Sequence, residues 1–206
     1  MTRDKSKGFA HEDRGNKRHE WATPAWVFEM LGLRFDLDPC HPLSSAGPIP
    51  VDNYVDSWYT EEDNGLKSPW PLGGNIFMNP PYNQQTPHWL RKLNEHGRGI
   101  ALVFARTDTK WYRESALKAD AILYLKTRIK FIDVNADKDE DKAKNGAGAG
   151  SMLLAWGEDN VAALYKLAEL GDFRDLRLER FMKPYVAQPM DQVRRLVCFT
   201  KSEESV

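Results

Sequence analysis

The sequence predicts an α/β domain with a mostly parallel sheet. Three observations carry that prediction. The runs Gly-Ile-Ala-Leu-Val-Phe-Ala at 99–105 and Ser-Met-Leu-Leu-Ala-Trp at 151–156 are apolar throughout rather than alternating, as strands covered on both faces are. The stretches between such runs repeat apolar residues at helical spacing. The resulting order, β–loop–β–α–β–α–β–β, joins strands through helical crossovers.

Each element follows from local chemistry. The first twenty residues hold six basic and four acidic side chains and no apolar run, so residues 1–19 read as a flexible polar arm. Order begins near Trp21. Thr23 followed by Pro24 reads as a helix N-cap and first helical position. Trp26, Val27, Met30 and Leu31 follow at helical spacing up to Gly32, a residue that ends helices. Residues 33–37 form a short strand that stops at Asp38-Pro39-Cys40. Residues 41–74 are rich in Pro, Gly, Ser and Asp and read as a long loop of the kind that carries function. Residues 75–78 form a second short strand, ending at Asn79-Pro80-Pro81-Tyr82.

A helix over 86–95 places Trp89, Leu90 and Leu93 on one face. A strand over 99–105, a helix over 109–118 and a strand over 121–126 come next. Residues 133–150 combine mixed charge with Asn-Gly-Ala-Gly-Ala-Gly and read as a long flexible hairpin loop before the strand at 151–156. An amphipathic helix over 160–170 has Asp159 or Asn160 as its cap. The division is an arm over 1–19, a main domain over 20–157 with long loops at 41–74 and 133–150, and a helical extension over 158–206 packed on it.

Composition excludes several classes. Hydrophobic residues make up 41% and charged residues 29%, the balance of a globular protein. No apolar run is long enough to span a membrane, and the polar start lacks a signal-peptide core. Two cysteines, Cys40 and Cys198, are too few for a disulfide framework or a four-cysteine zinc site. A reducing cytoplasm is the expected compartment. His41, His88, His96 and Cys40 lack metal-ligand spacing, so no metal is expected. The net charge of −1 excludes nucleic-acid binding by bulk charge and leaves it to local patches.

Three polar clusters sit at strand ends, where open α/β sheets bind ligands: Asp36 and Asp38-Pro39-Cys40, the tetrad at 79–82, and Arg106-Thr107-Asp108-Thr109. The tetrad is the most informative. Two prolines fix two φ angles and remove two backbone donors, and Asn79 is held extended by the proline after it. The turn therefore presents acceptors, the Asn79 amide oxygen and the Pro80 carbonyl, beside the aromatic Tyr82. That set suits an exocyclic amine on a flat ring, held by two hydrogen bonds and a stacking face. A plain Pro-Pro turn after an edge strand is the other reading. Arg106 is a candidate phosphate contact, and Thr107 or Asp108 a candidate helix cap. Arg128 and Lys130 share one face and read either as phosphate contacts or as a solvated strand end. Arg174, Arg177 and Arg180 alternate with Asp172, Asp175 and Glu179, which favours ion pairs over a DNA-binding stripe.

The ordered segments Glu-Trp-Ala-Thr-Pro-Ala-Trp-Val-Phe-Glu-Met-Leu, Phe-Asp-Leu-Asp-Pro-Cys, Asp-Asn-Gly-Leu-Lys-Ser-Pro-Trp, Asn-Ile-Phe-Met-Asn-Pro-Pro-Tyr-Asn, Ala-Arg-Thr-Asp-Thr-Lys-Trp-Tyr-Arg-Glu and Leu-Lys-Thr-Arg-Ile-Lys-Phe cover roughly residues 20–156. Together they resemble the phage-type DNA adenine N6-methyltransferase family. The resemblance implies a Rossmann-like methyltransferase with an antiparallel hairpin at one edge. About 40 residues separate Asp38 from Asn79, so the second βα unit is shortened.

The resemblance also implies S-adenosyl-L-methionine as cofactor and double-stranded DNA as partner, in a phage or prophage setting and hence a host cytoplasm, with the enzyme a monomer or weak dimer. Catalysis falls to Asn79, Pro80, Pro81 and Tyr82. Cofactor contacts fall to Trp21, Thr23, Pro24, Asp36, Asp38, Pro39, Cys40 and Asp63, with Asp63 on the cofactor's adenine amine. From the residues themselves, the candidate DNA contacts are Arg106, Thr107, Asp108, Arg128 and Lys130. The target adenine is expected to flip into the pocket, where N6 attacks the sulfonium methyl and its spare proton leaves to solvent. After Cys40 comes His-Pro-Leu-Ser-Ser-Ala-Gly rather than the glycine-rich turn of most methyltransferases. A methyltransferase acting on RNA adenine or protein glutamine is the alternative, as is a non-catalytic DNA-binding relic.

Overall fold

The computed structural model describes residues 21–42, 49–134 and 148–186. The expected arm and most of the 133–150 loop lie outside them. In chain order the elements are β1 (Trp21–Ala22), α1 (Ala25–Leu31), β2 (Ile76–Met78), α2 (Thr86–His96), β3 (Gly99–Phe104), α3 (Lys110–Glu114), β4 (Ala121–Leu125), β5 (Ile132–Asp133), β6 (Ser151–Trp156), α4 (Glu158–Lys166), β7 (Gly171–Asp175) and α5 (Leu176–Val186).

The central sheet has the order β2-β3-β6-β4-β7, and β1 pairs with β5 in a separate two-stranded ribbon. The α/β expectation holds. The pairing differs from a mostly parallel sheet. Only β2–β3 is parallel among the named strands of the central sheet, while β3–β6, β6–β4 and β4–β7 are antiparallel. The reason is that β6 is inserted, reversed, between β3 and β4. Because β6 opposes both neighbours, β2, β3 and β4 still run the same way. Parallel bridges Leu37↔Ile76, Phe35↔Val55 and Asp38↔Trp58 extend that direction beyond β2. The carboxyl ends of residues 35–38, 55–58, β2, β3 and β4 therefore share one sheet edge.

The antiparallel β4–β6 pair stands inside the sheet, and β7 forms the antiparallel edge. All six residues of β6 are buried, which is why its sequence carries no polar alternation. Burial on both faces explains the continuous runs. Phe77, Ile100, Leu102 and Leu153 join one core layer with Phe28 and Leu31 of α1 and Val161 and Leu164 of α4. Their neighbours Ile76, Ala101, Val103 and Leu154 join the other with Trp89, Leu90 and Leu93 of α2 and Tyr112 of α3. Each such large apolar side chain contributes about 1.5–3 kcal/mol by burial.

Helix ends depart from expectation in three places. Pro24, not Thr23, is the N-cap residue of α1, with no side-chain cap. The helix ends at Gly32 in the left-handed conformation (φ 61°), its N–H on Phe28 O. Thr109, not Asp108 or Thr107, caps α3, accepting from Tyr112 N at 3.3 Å. α4 starts after Gly157, and Asn160 is instead buried inside it, donating to Asn75 Oδ1 and Trp156 O. The stretch from residue 158 also contains β7, so its described part is not helical alone. Arg174 lies in β7 and Arg177 and Arg180 in α5, and all three are paired. Arg174 holds Glu179, Arg177 holds Asp175, and Arg180 bonds Lys118 O, Ala119 O and Asp120.

Candidate active site

The tetrad follows β2 directly, so its turn emerges at the common carboxyl edge. Asn79 is clamped from two sides. Its Nδ2 donates to Thr23 Oγ1 at 3.3 Å, and its Oδ1 accepts from the Tyr82 hydroxyl at 2.6 Å. Thr23 is free for this because it does not cap α1. Pro80 is buried. Pro81 O accepts from Thr86 Oγ1 at 2.8 Å, which ties the turn to the start of α2.

Tyr82 is folded inward. Its ring stacks on Phe104 at the end of β3, with centroids 3.8 Å apart and planes at 17°. Phe131 lies against it at 6.2 Å. Burial holds the phenol well above its ordinary pKa, with the neighbouring Cys40 adding to the shift. The same shielding acts on Cys40. Its thiol pKa is raised first by burial and then by Asp38, against a lowering contact from the Asn79 backbone. Cys40 thus joins the two strand-end motifs.

Asp38 is buried, and its Oδ1 accepts from Cys40 N at 3.0 Å. Its Oδ2 lies 3.5 Å from His41 Nδ1, while His41 Nε2 lies 3.1 Å from Asp52 Oδ1. His41 also stacks on Trp58 at 5.0 Å. The sequence pattern set His41 aside for lack of metal-ligand spacing, and it did not single out Asp52. The signal present was their place near the ends of residues 35–38 and 55–58, but the second strand was hidden in an irregular loop. Asp36, two residues before Asp38, is exposed. Its Oδ2 accepts Asn75 N at 2.5 Å ahead of β2, away from the tetrad.

Asp63 is exposed in the turn after Tyr59. Thr60 N and Thr60 Oγ1 both donate to its Oδ2, at 2.8 and 2.9 Å. These bonds hold its carboxyl below the usual carboxylate range. The turn is pressed onto the other motif through Gly65, where a Cβ would lie 1.9 Å from Pro39 O and 3.1 Å from the Trp89 ring. Asp38-Pro39-Cys40, the Asp63 turn and the tetrad are therefore brought together. Trp21 is half-exposed in β1, paired with Asp133 of β5.

The basic residues lie close in the chain to Phe104 and Phe131. Arg106 follows Phe104 by two residues, and Arg128 and Lys130 alternate with buried Ile129 and Phe131. Phe104 and Phe131 are the two rings that contact Tyr82. All three cations are exposed, as are Thr107 and Asp108. Among the described residues no group of three His, Cys, Asp or Glu could hold a metal ion, and no helix is long and apolar enough to cross a membrane.

Residues 11–167 match the family described as DNA N-6-adenine-methyltransferase (Dam). The chain is 30% identical over 131 residues to the DNA N-6-adenine-methyltransferase of Haemophilus phage HP1 (strain HP1c1), covering 59% of this chain and 71% of that protein. It is 26% identical over 152 residues to the protein of the same name from Escherichia phage T1, covering 70% of this chain and 57% of that one. No solved structure gives a significant match.

Proposed function

The chain belongs to the DNA N-6-adenine-methyltransferase (Dam) family, and on that premise we propose that it methylates adenine N6 in double-stranded DNA with S-adenosyl-L-methionine as donor. One observation carries the reading furthest. The Asn79 amide is held between the Thr23 and Tyr82 hydroxyls, its oxygen 2.6 Å from the Tyr82 hydroxyl, beside a turn stripped of donors by Pro80 and Pro81. An exocyclic amine has the donors that such an oxygen accepts.

The directions of residues 35–38, β2, β3 and β4, with β6 reversed among them, support a Rossmann-like arrangement. Residues 35–38 and 55–58 pair in parallel with only a 3₁₀ turn at Pro50–Asn53 in the described part between them, which supports the shortened second unit.

Adenine N6 is out of reach inside a stacked duplex, so the base leaves the helix. Exposed Arg106, Arg128 and Lys130 stand beside the rings that pack on Tyr82 and hold the flanking phosphates. Asn79 Oδ1 and Pro80 O accept the two N6 hydrogens, aligning the nitrogen and enriching its electron density. Tyr82 offers its ring to the base. Alignment supplies most of the rate. When bound, S-adenosyl-L-methionine supplies an electrophilic methyl and departs as a neutral thioether. The extra proton on N6 then passes to solvent.

The residues present fit that cofactor. Asp38 and Asp63 are carboxylates suited to its cationic and amine groups, and both Thr60 bonds fall on Asp63 Oδ2, leaving Oδ1 for a donor. Thr23 and Cys40 contact Asn79, and Pro24, Pro39 and Trp21 stand close to them in the chain. The named relatives are phage proteins, which supports a phage or prophage setting in a host cytoplasm.

The test is transfer of labelled methyl from S-adenosyl-L-methionine to unmethylated duplex DNA, to RNA and to protein, followed by nucleoside analysis. N6-methyladenine in the DNA is the expected product. Label confined to RNA or protein would overturn the substrate assignment.

A further inference from the structure

We propose that Lys92 is a positioning residue for the cofactor side of the site, holding the Asp63 turn against the strand end that carries Asp38. The proposal rests on the reading of that side as cofactor-binding. It goes beyond that reading by adding a residue that touches neither cofactor nor DNA.

Lys92 lies on α2, yet its ammonium reaches into the 60–70 loop. Nζ donates to Gly65 O at 2.9 Å, Leu66 O at 3.0 Å and Ser68 O at 2.6 Å. An ammonium has three donors and no acceptor, so its hydrogen-bonding capacity is filled by backbone carbonyls of one loop. The charge also sits 4.7 Å from the centroid of the Trp70 ring. Trp70 Nε1 donates in turn to the same Gly65 carbonyl at 2.9 Å. Partial burial lowers the amine's pKa, a sign that the cation has given up water for this cage.

Several of the loop's own bonds run within it, as from Ser68 Oγ to Asp63 O and from the Tyr59 hydroxyl to Pro69 O. Such bonds shape the loop without fixing it to the sheet. Glu61, Glu62, Asp63, Asn64, Lys67 and Pro69 are exposed. Its one fully buried residue is Gly65, which contacts Pro39 so closely that no Cβ fits. Leu66 and Trp70 pack half-buried against the core, but Asp63 lies on the exposed side of Gly65, so its place depends on the carbonyls that follow it being fixed. Lys92 supplies that on the far side of the contact.

The same helix carries a second connection. Thr86, the first residue of α2, donates to Pro81 O inside the tetrad. One rigid helix thus anchors the catalytic turn at its start and the Asp63 turn less than two turns further on. Side chains at such spacing keep their relative positions because the helix rise is fixed at about 1.5 Å per residue. A guanidinium is a planar fork and cannot converge on three carbonyls as an ammonium does, so arginine is a poor replacement.

The experiment uses the full chain and the variants Lys92→Met and Lys92→Arg. Steady-state constants for S-adenosyl-L-methionine and for duplex DNA are measured, with calorimetric binding of S-adenosylhomocysteine and the melting temperature. We expect Lys92→Met to raise the cofactor KM and the S-adenosylhomocysteine Kd about tenfold or more, as loss of a charged hydrogen-bonding centre does, with the DNA KM unchanged. Lys92→Arg recovers only part of that loss. Trp70→Phe removes one bond from the same cage and should shift the cofactor KM alone by a few-fold; it supplies the test should Lys92→Met not fold. A variant with lower melting temperature and reduced kcat but unchanged cofactor KM makes Lys92 merely structural and overturns the proposal. If the unaltered protein binds S-adenosylhomocysteine and both variants bind it equally, Lys92 alone loses its role. If the unaltered protein binds none, the cofactor reading falls and this proposal with it.

Discussion

The Tyr82 hydroxyl donates to Asn79 Oδ1 at 2.6 Å, so the acceptor suited to an incoming amine is already occupied from within the tetrad. The Tyr82 ring is at the same time stacked on Phe104. A base entering this site has to displace that hydroxyl. Tyr82→Phe keeps the ring and frees the oxygen. We expect it to lower the DNA KM and keep kcat within about threefold, because one neutral hydrogen bond is worth only about 0.5–1.5 kcal/mol. Tyr82→Ala, which also removes the stacking face, should cost about 1–3 kcal/mol of base binding. Equal losses in the two variants would show that the hydroxyl, not the ring, is what the reaction uses.

Thr23 orients the Asn79 amide through the 3.3 Å bond from Nδ2. Thr23→Val keeps the shape and removes the acceptor. The amide then keeps only its bond from Tyr82, and kcat should fall about two- to tenfold, the worth of one such bond. Thr23→Ser should restore it. A valine variant with full kcat would leave Thr23 no part in orienting the amide.

Gly65 has no room for a side chain, since a Cβ would lie 1.9 Å from Pro39 O. Gly65→Ala must shift the Asp63 turn away from Asp38-Pro39-Cys40. Calorimetry should show weaker binding of S-adenosylhomocysteine by about tenfold or more, within the range for strain forced into a packed site. Unchanged binding would show that the two segments do not act on one ligand.

Cys40 has a raised thiol pKa, chiefly from burial and then from Asp38. The folded protein therefore keeps the thiol proton at a pH where the unfolded chain has lost it. This group's contribution to stability is fully present below the ordinary thiol pKa and fades as pH rises above it. Thiolate is the reactive form. At pH 9, alkylation of Cys40 in the native protein should run slower than in the urea-unfolded chain, because the raised pKa keeps more of the thiol protonated. Peptide-resolved mass spectrometry reads the rates, and equal rates would contradict the shielded, neutral thiol.

Arg106, Arg128 and Lys130 are exposed and lie within three residues of Phe104 or Phe131, the rings that contact Tyr82. Replacing all three with Ala should raise the DNA KM and flatten its salt dependence by about 2–3 in log–log slope, near 0.9 per phosphate contact. Cofactor binding should not change. An unaltered slope would place the DNA elsewhere.

Much of the site was legible because its chemistry is local. The tetrad, Asp38-Pro39-Cys40 and the Asp63 turn each stand out as short strings at strand ends, and the shared edge brings them together. The pairing of the sheet was not legible. β6 is apolar on both faces whichever way it runs, so its burial conceals its direction. Residues 55–58 escaped notice for a different reason: Val-Asp-Ser-Trp is too short to show a period, and only its bridges to residues 35–38 reveal it as strand. Thr23 misled because Thr-Pro is a sound capping signal, and the hydroxyl was taken instead by Asn79 from a segment far along the chain. β7 was hidden because charged Asp172, Arg174 and Asp175 flank Phe173 on an edge strand, a pattern that also suits a solvated helix.

The Asn79 amide oxygen, as the holder of the target amine, is the point on which the proposed chemistry turns. It is tested by methyl transfer to duplex DNA by Asn79→Ala beside the unaltered protein, with calorimetric binding of S-adenosylhomocysteine to both. N6-methyladenine is expected to fall by at least about a hundredfold, as for removal of a reaction-site hydrogen-bonding partner, while cofactor binding is kept. An Asn79→Ala protein that still methylates adenine at the unaltered rate would show that this oxygen does not hold the amine.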